Sequence, residues 1–200
     1  MYNKENINQG KENCMTAQIN DSFRYNDENF SIIAISKPFD FSPVTEFGLK
    51  PTMGCTACWK GFWCGYVVDS IGIYLDQLFI NTFDREYPDI NGVSVEKDPK
   101  TGEPVSCMGH HVYKGLNHMI RYSGRILLGK DFMYEYYIHM GYQNPWGYET
   151  LTELVFEKGQ LVKTVDQTEN AKIIRQRLKE KETIFAHDVD LSDLNLWWLN

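Results

Sequence analysis

The sequence predicts an α+β fold, built mainly from antiparallel sheet (hairpins or a meander) with one C-terminal helix packed on it. Three observations carry this. Val, Ile, Phe, Tyr, Trp and Thr number 65 against five Ala, and β-branched and aromatic side chains suit a pleated face better than a helix. Short apolar runs alternate around turn signals along most of the chain. A helical period appears only once, late in the sequence.

Taken in order, residues 1–22 are polar and without period. They predict a flexible arm, with Met15 as an alternative start, ahead of a single domain over 23–200. Residues 30–35 (FSIIAI) predict a strand stopped by Pro38. Residues 36–54 carry Pro, Gly and three Phe, and read as an irregular packed connection. Residues 62–69 and 73–80 flank Ser70-Ile71-Gly72 as a hairpin. Residues 89–96 and 104–108 flank the turn-rich KDPKTGEP, and 119–122 and 125–128 flank Ser123-Gly124. Residues 132–140 (FMYEYYIHM) predict a long aromatic strand with Tyr134 and Tyr136 on one face and Tyr137 on the other. Residues 151–157 and 160–165 around Lys158-Gly159 form the clearest hairpin. A helix follows over about 167–182, with Asp166 and Glu169 at capping-box spacing and Ala171, Ile174 and Leu178 on one face. The tail ends LNLWWLN, and the apolar area of Trp197 and Trp198 predicts that at least one of them is buried.

Twenty Lys and Arg against 27 Asp and Glu leave a net charge of −7. That balance excludes the basic face of sequence-independent nucleic-acid binding, and it excludes a polybasic membrane anchor. No apolar run approaches the roughly 20 residues of a membrane span, and residues 1–20 lack the apolar core of a secretory leader. Five Cys without a leader predict reduced thiols and a cytoplasmic protein.

Two knuckles suggest metal: Cys55 and Cys58 as C-x-x-C, and Cys107 and His110 as C-x-x-H, with Cys64, His111 and His118 as substitutes. Thiolates and imidazole in such pairs close tetrahedrally around zinc. The 48 residues between the pairs and a domain large enough to fold unaided weigh against it, so the expectation is no cofactor, with zinc as the alternative. Cys107 beside His110 or His111 would be a nucleophile–base pair. Glu135 and His139, four apart on a strand, would lie about 13 Å from one another, too far for proton transfer. Phosphate-binding glycine loops and the G-x-S-x-G and H-E-x-x-H motifs are missing. Trp59, Trp63, Tyr136, Trp146, Trp197 and Trp198 remain as binding candidates, because Trp and Tyr anchor protein interfaces.

The segment CWKGFWCGYVVDSIGIYLDQL from Cys58, together with SGRILLGKDFMYEYYIHMGYQNPWGY over 123–148, resembles a loose group of uncharacterised small bacterial β-rich proteins. Those carry a W-[KR]-G-[FY] … L-Y-L hairpin and a Y-x-H-M-G-Y strand. The resemblance implies a bacterial cytoplasmic β protein and brings no catalytic residue with it. The functional expectation is therefore a non-catalytic protein-binding module, of inhibitor or immunity type, that neutralises another protein of basic character; a homodimer is a further expectation. The alternatives are a zinc- or cysteine-dependent enzyme using Cys55, Cys58, Cys107 and His110, and a β domain that holds a small ligand in an aromatic cavity.

Overall fold

Nine strands hydrogen-bond into one sheet in a computed structural model that describes residues 16–199. In chain order they are β1 (Ser22–Tyr25), β2 (Glu28–Ile35), β3 (Phe62–Val68), β4 (Ile73–Ile80), β5 (Ser106–Cys107), β6 (His110–Ile120), β7 (Gly124–Phe132), β8 (Tyr148–Glu157) and β9 (Gln160–Asp166). A short helix α1 (Pro43–Phe47) follows β2, and α2 (Thr168–Glu180) follows β9. The spatial order is β5-β6-β4-β3-β1-β2-β7-β8-β9. Neighbours are antiparallel except β1 and β3, which run parallel with Ser22 opposite Gly65.

The tight hairpins follow from local chemistry. The β1–β2 turn places Asn26 and Asp27 at φ 50 and 61, and the β8–β9 turn places Lys158 and Gly159 at φ 52 and 88. Left-handed pairs of this kind match the twist of the strands they join. Asp69 builds the β3–β4 turn by accepting the Ile71 and Gly72 N–H groups at 2.7 and 3.0 Å.

Residues 119–128 do not form the expected hairpin. β6 and β7 follow one another in sequence but sit five places apart in the sheet. A flat sheet would separate them by about 24 Å, and the three-residue link 121–123 reaches only about 14 Å. The sheet therefore rolls until its two halves meet. Gly159 donates to the Tyr122 carbonyl and Lys158 to Ser123 Oγ, both at 2.7 Å, tying the β8–β9 turn to that link. Phe156 lies across the interior from Phe23 and Tyr122, with ring centroids 6.3 and 6.2 Å away.

Two cores result. The rolled face holds Phe23, Cys64, Tyr66, Leu75, Leu78, Tyr113, Ile126, Leu128, Leu154 and Phe156. The outer face of β7 and β8 presents Leu127 and Leu151 to Ala171, Ile174 and Leu178 of α2, and Trp146, Tyr148, Leu196 and Trp198 complete this second core. Ile126 and Leu128 point one way and Leu127 the other, as the two-residue period of a strand requires. Trp198 is thus buried in the chain's own core, while Trp197 is half-buried.

Three further expectations change. Residues 133–140 are not a strand: β7 ends at Phe132, and Tyr134–Tyr136 is a 3₁₀ turn, so the argument from two aromatic faces and the 13 Å spacing of Glu135 and His139 both lapse. Over 89–108 the expected turn is present, with Lys97 opposite Pro104 and Val105 donating to the Glu96 carbonyl, but its arms are reduced to an isolated Ile90–Val93 bridge and the two-residue β5. Of the expected arm over 1–22, residues 1–15 lie outside the described residues. Residues 16–21 are bonded into the fold, and Ser22 opens β1, because their polar groups find partners on two loops.

Candidate functional site: a strap joining two aromatic segments

Residues 16–21 form a strap between the segment around 55–60 and the segment around 137–142. On one side Ile19 donates to the Ala57 carbonyl at 2.8 Å, and Gln18 Nε2 donates to the Thr56 carbonyl at 2.9 Å. Gln18 Oε1 accepts the Trp59 N–H at 2.9 Å. On the other side Gln18 donates to the Gly141 carbonyl at 2.8 Å and Ala17 to the Tyr137 hydroxyl at 3.1 Å. Gln18 is buried, and its backbone N–H, amide nitrogen and amide oxygen are all matched, as a buried amide requires. The two stretches singled out in the sequence, WKGF at 59–62 and Y-x-H-M-G-Y at 137–142, are thereby brought together.

The strap also opens the sheet. β1 has four residues and β2 eight, and after the bond from the Ile32 N–H to the Asp21 carbonyl the strap leaves Ile33–Ile35 of β2 unpaired on that side. A cleft of about 260 Å³ occupies the gap, lined by Asp21, Ile33, Ile35, Phe39, Lys60 and Tyr142. Lys60 Nζ lies 2.9 and 3.0 Å from the two carboxylate oxygens of Asp21 and 4.8 Å from the Phe62 ring centroid. Asp21 Oδ1 also accepts the Cys64 N–H at 2.9 Å. Burial lowers the Lys60 ammonium's pKa, but the charge and hydrogen bonds of Asp21 outweigh it and the net displacement is upward. Burial pushes the Cys58, Cys64, Tyr66 and Tyr142 pKa values up. Both thiols therefore stay protonated near neutral pH, which makes them poor nucleophiles.

The aromatic candidates separate sharply. Trp59 is 53% exposed. Trp63 is buried, stacked on Phe79 at 4.7 Å with the His110 ring edge-on at 4.7 Å. Trp146 and Trp198 are buried in the second core, Trp197 is half-buried against it, and Tyr136 is half-buried. Trp63, Trp146 and Trp198 are therefore core residues rather than surface anchors. Two exposed rings in the 134–142 segment were not among the binding candidates: Tyr134, 79% exposed and stacked on Tyr137, and Tyr142, 50% exposed. Their irregular backbone gives no periodic signal that could have set them apart.

Among the described residues no three His, Cys, Asp or Glu side chains gather as a metal site. The C-x-x-H knuckle is the corner of the β5–β6 hairpin, with Met108 and Gly109 at φ 49 and 81. Gly54 packs directly beside His110: a Cβ there would meet the ring at 2.8 Å. Even so, His110 Nδ1 is committed to the Met108 carbonyl at 3.0 Å, Cys58 Sγ faces the Phe62 carbonyl at 3.3 Å, and Cys107 is exposed. Burial lowers the His110 pKa, so the ring is neutral and packs as an aromatic. His111 rests on Tyr87, and His118 sits 3.5 Å from Glu46 beside Phe41 and Phe47. Comparison of the chain with protein-family models, with curated proteins and with solved structures finds no match.

Proposed function

We propose that this protein is a non-catalytic binding module, of inhibitor or immunity type, that neutralises a basic partner protein in a bacterial cytoplasm. It docks through the segments at 59–62 and 134–142. The observation that carries this reading is that Trp59 and Tyr142 are exposed on or beside backbone that the strap holds, with exposed Tyr134 stacked on the strap-bonded Tyr137. Large aromatic side chains on fixed backbone supply contact area at small ordering cost, which is the usual make-up of an interface anchor. The net charge of −7 favours encounter with a positively charged partner. The raised Cys58 pKa speaks against that thiol as a nucleophile in the cysteine alternative.

The test is affinity capture from the native cell with the wild type and a Trp59→Ala/Tyr142→Ala variant, matched for melting temperature. A specific basic protein retained by the wild type, with at least about tenfold less retained by the variant, supports the reading. Equal retention by both, or no specific protein at all, contradicts it.

A further inference from the structure

Away from the strap, the rolled sheet has a mouth where the end of β2, the β6–β7 link and the β8–β9 turn converge. An open cavity of about 900 Å³ lies there, and Lys37, Arg121, Lys158, Asp40, Ser123 and Met119 contribute to its lining. The three cations come from three distant parts of the chain, and the closure of the sheet brings them together. None of them pairs with a carboxylate among the described residues. Against them stands only Asp40, so the lining carries three positive charges and one negative in a chain whose net charge is −7.

The frame around this mouth is fixed. Tyr122, 4% exposed, donates its hydroxyl to the Arg125 carbonyl at 3.0 Å, and Arg125 donates its N–H to Ser36 Oγ at 2.8 Å. Gly159 and Lys158 hold the opposite wall by their bonds to Tyr122 and Ser123. Like charges gathered on a rigid frame repel unless an anion joins them.

We infer that this mouth binds a small soluble phosphomonoester. A surplus of two positive charges matches the charge of about −1.5 to −2 that such a group carries at neutral pH, whereas a monocarboxylate would leave one cation unmatched. The Arg121 guanidinium offers a planar fork to two phosphate oxygens, and the lysines act as point charges. Asp40 is placed to accept a hydroxyl of the ligand's body, and Met119, 49% exposed, gives that body an apolar contact. The site is independent of the protein-binding surface, and its failure would leave that reading standing.

The test is titration calorimetry of the full chain with glycerol 3-phosphate, with inorganic phosphate, and with glycerol as the uncharged control. Vesicles carrying phosphatidic acid provide a further arm. Saturable binding of glycerol 3-phosphate is expected, weakened about tenfold or more in Arg121→Gln and in Lys158→Gln and unchanged in Lys100→Gln, which removes an exposed cation away from the mouth. Three outcomes overturn the inference: no saturable binding of either phosphate, equal weakening in Lys100→Gln, or binding to the vesicles alone.

Discussion

Asp21 is the residue on which the strap turns. It holds Lys60 by two contacts near 3 Å and also satisfies the Cys64 N–H. Asp21→Ala would leave a partly buried ammonium and a backbone donor unmatched, at a cost of about 2–3 kcal/mol by urea unfolding at pH 7. A loss below about 0.5 kcal/mol would contradict this role. The pair also fixes a pH window. Because the Lys60 pKa is raised in the folded state, its contribution is complete below the unfolded lysine value of about 10.4 and is lost as pH rises through the folded value. The stability difference between the wild type and Lys60→Met should therefore be constant from pH 6 to 9 and shrink only above about pH 10. Shrinkage below pH 9 would mean that Asp21 does not govern Lys60. None of this was legible in the sequence, where Asp21 reads as the end of a polar arm. An ion pair between residues 39 apart leaves no local pattern. Trp59 and Trp63 were equal binding candidates in the sequence, and only β3, which buries Trp63 and leaves Trp59 outside it, separates them.

At the scale of elements, local signals and long-range signals part company. The β3–β4 and β8–β9 hairpins are written in two or four turn residues flanked by alternation, and both are present. Ser123-Gly124 looks like another such turn, yet its two flanking strands pair with other partners, because the rolled sheet uses the link as a crossing. The helical period was equally plain: Ala171, Ile174 and Leu178 seat α2 on Leu127 and Leu151. Ile174→Ala should cost about 2–4 kcal/mol by the methylenes lost and the cavity left. Truncation after Asp193 removes Leu196 and Trp198 from the same core, and its loss should be larger, with the melting temperature falling by about 10 °C or more. A truncated protein with unchanged melting would show that the tail adds nothing to this core. The strap has its own test. Gln18→Ala removes the two side-chain bonds to Thr56 and Trp59 and should speed amide exchange at Trp59 while the exchange of β7 and β8 stays unchanged.

The whole molecule is a sheet with two ends, and an open end invites pairing with another chain. β5 is too short to offer much of a template, but β9 presents seven residues at the other edge, with Val162 51% exposed. Antiparallel self-pairing centred on the strand would set Lys163 against its own copy, and this like-charge contact guards the edge. Lys163→Val should therefore raise self-association in sedimentation equilibrium, whereas the wild type should not associate through β9. An unchanged sedimentation profile would remove Lys163 from that role. The rolled shape that leaves this edge open also lets the strap join two segments about 80 residues apart in sequence, Trp59 and Tyr142, into one surface. That joining depends on strand order, which no window of sequence encodes.

The central claim is that this joined surface is where a partner protein binds. Hydrogen–deuterium exchange of the captured complex tests it most directly. The account predicts new protection confined to residues 16–21, 56–62 and 134–142, with α2 and β9 exchanging as in the free protein. Protection that falls on α2, on β9 or on the mouth of the rolled sheet, with those three segments unaffected, would contradict it.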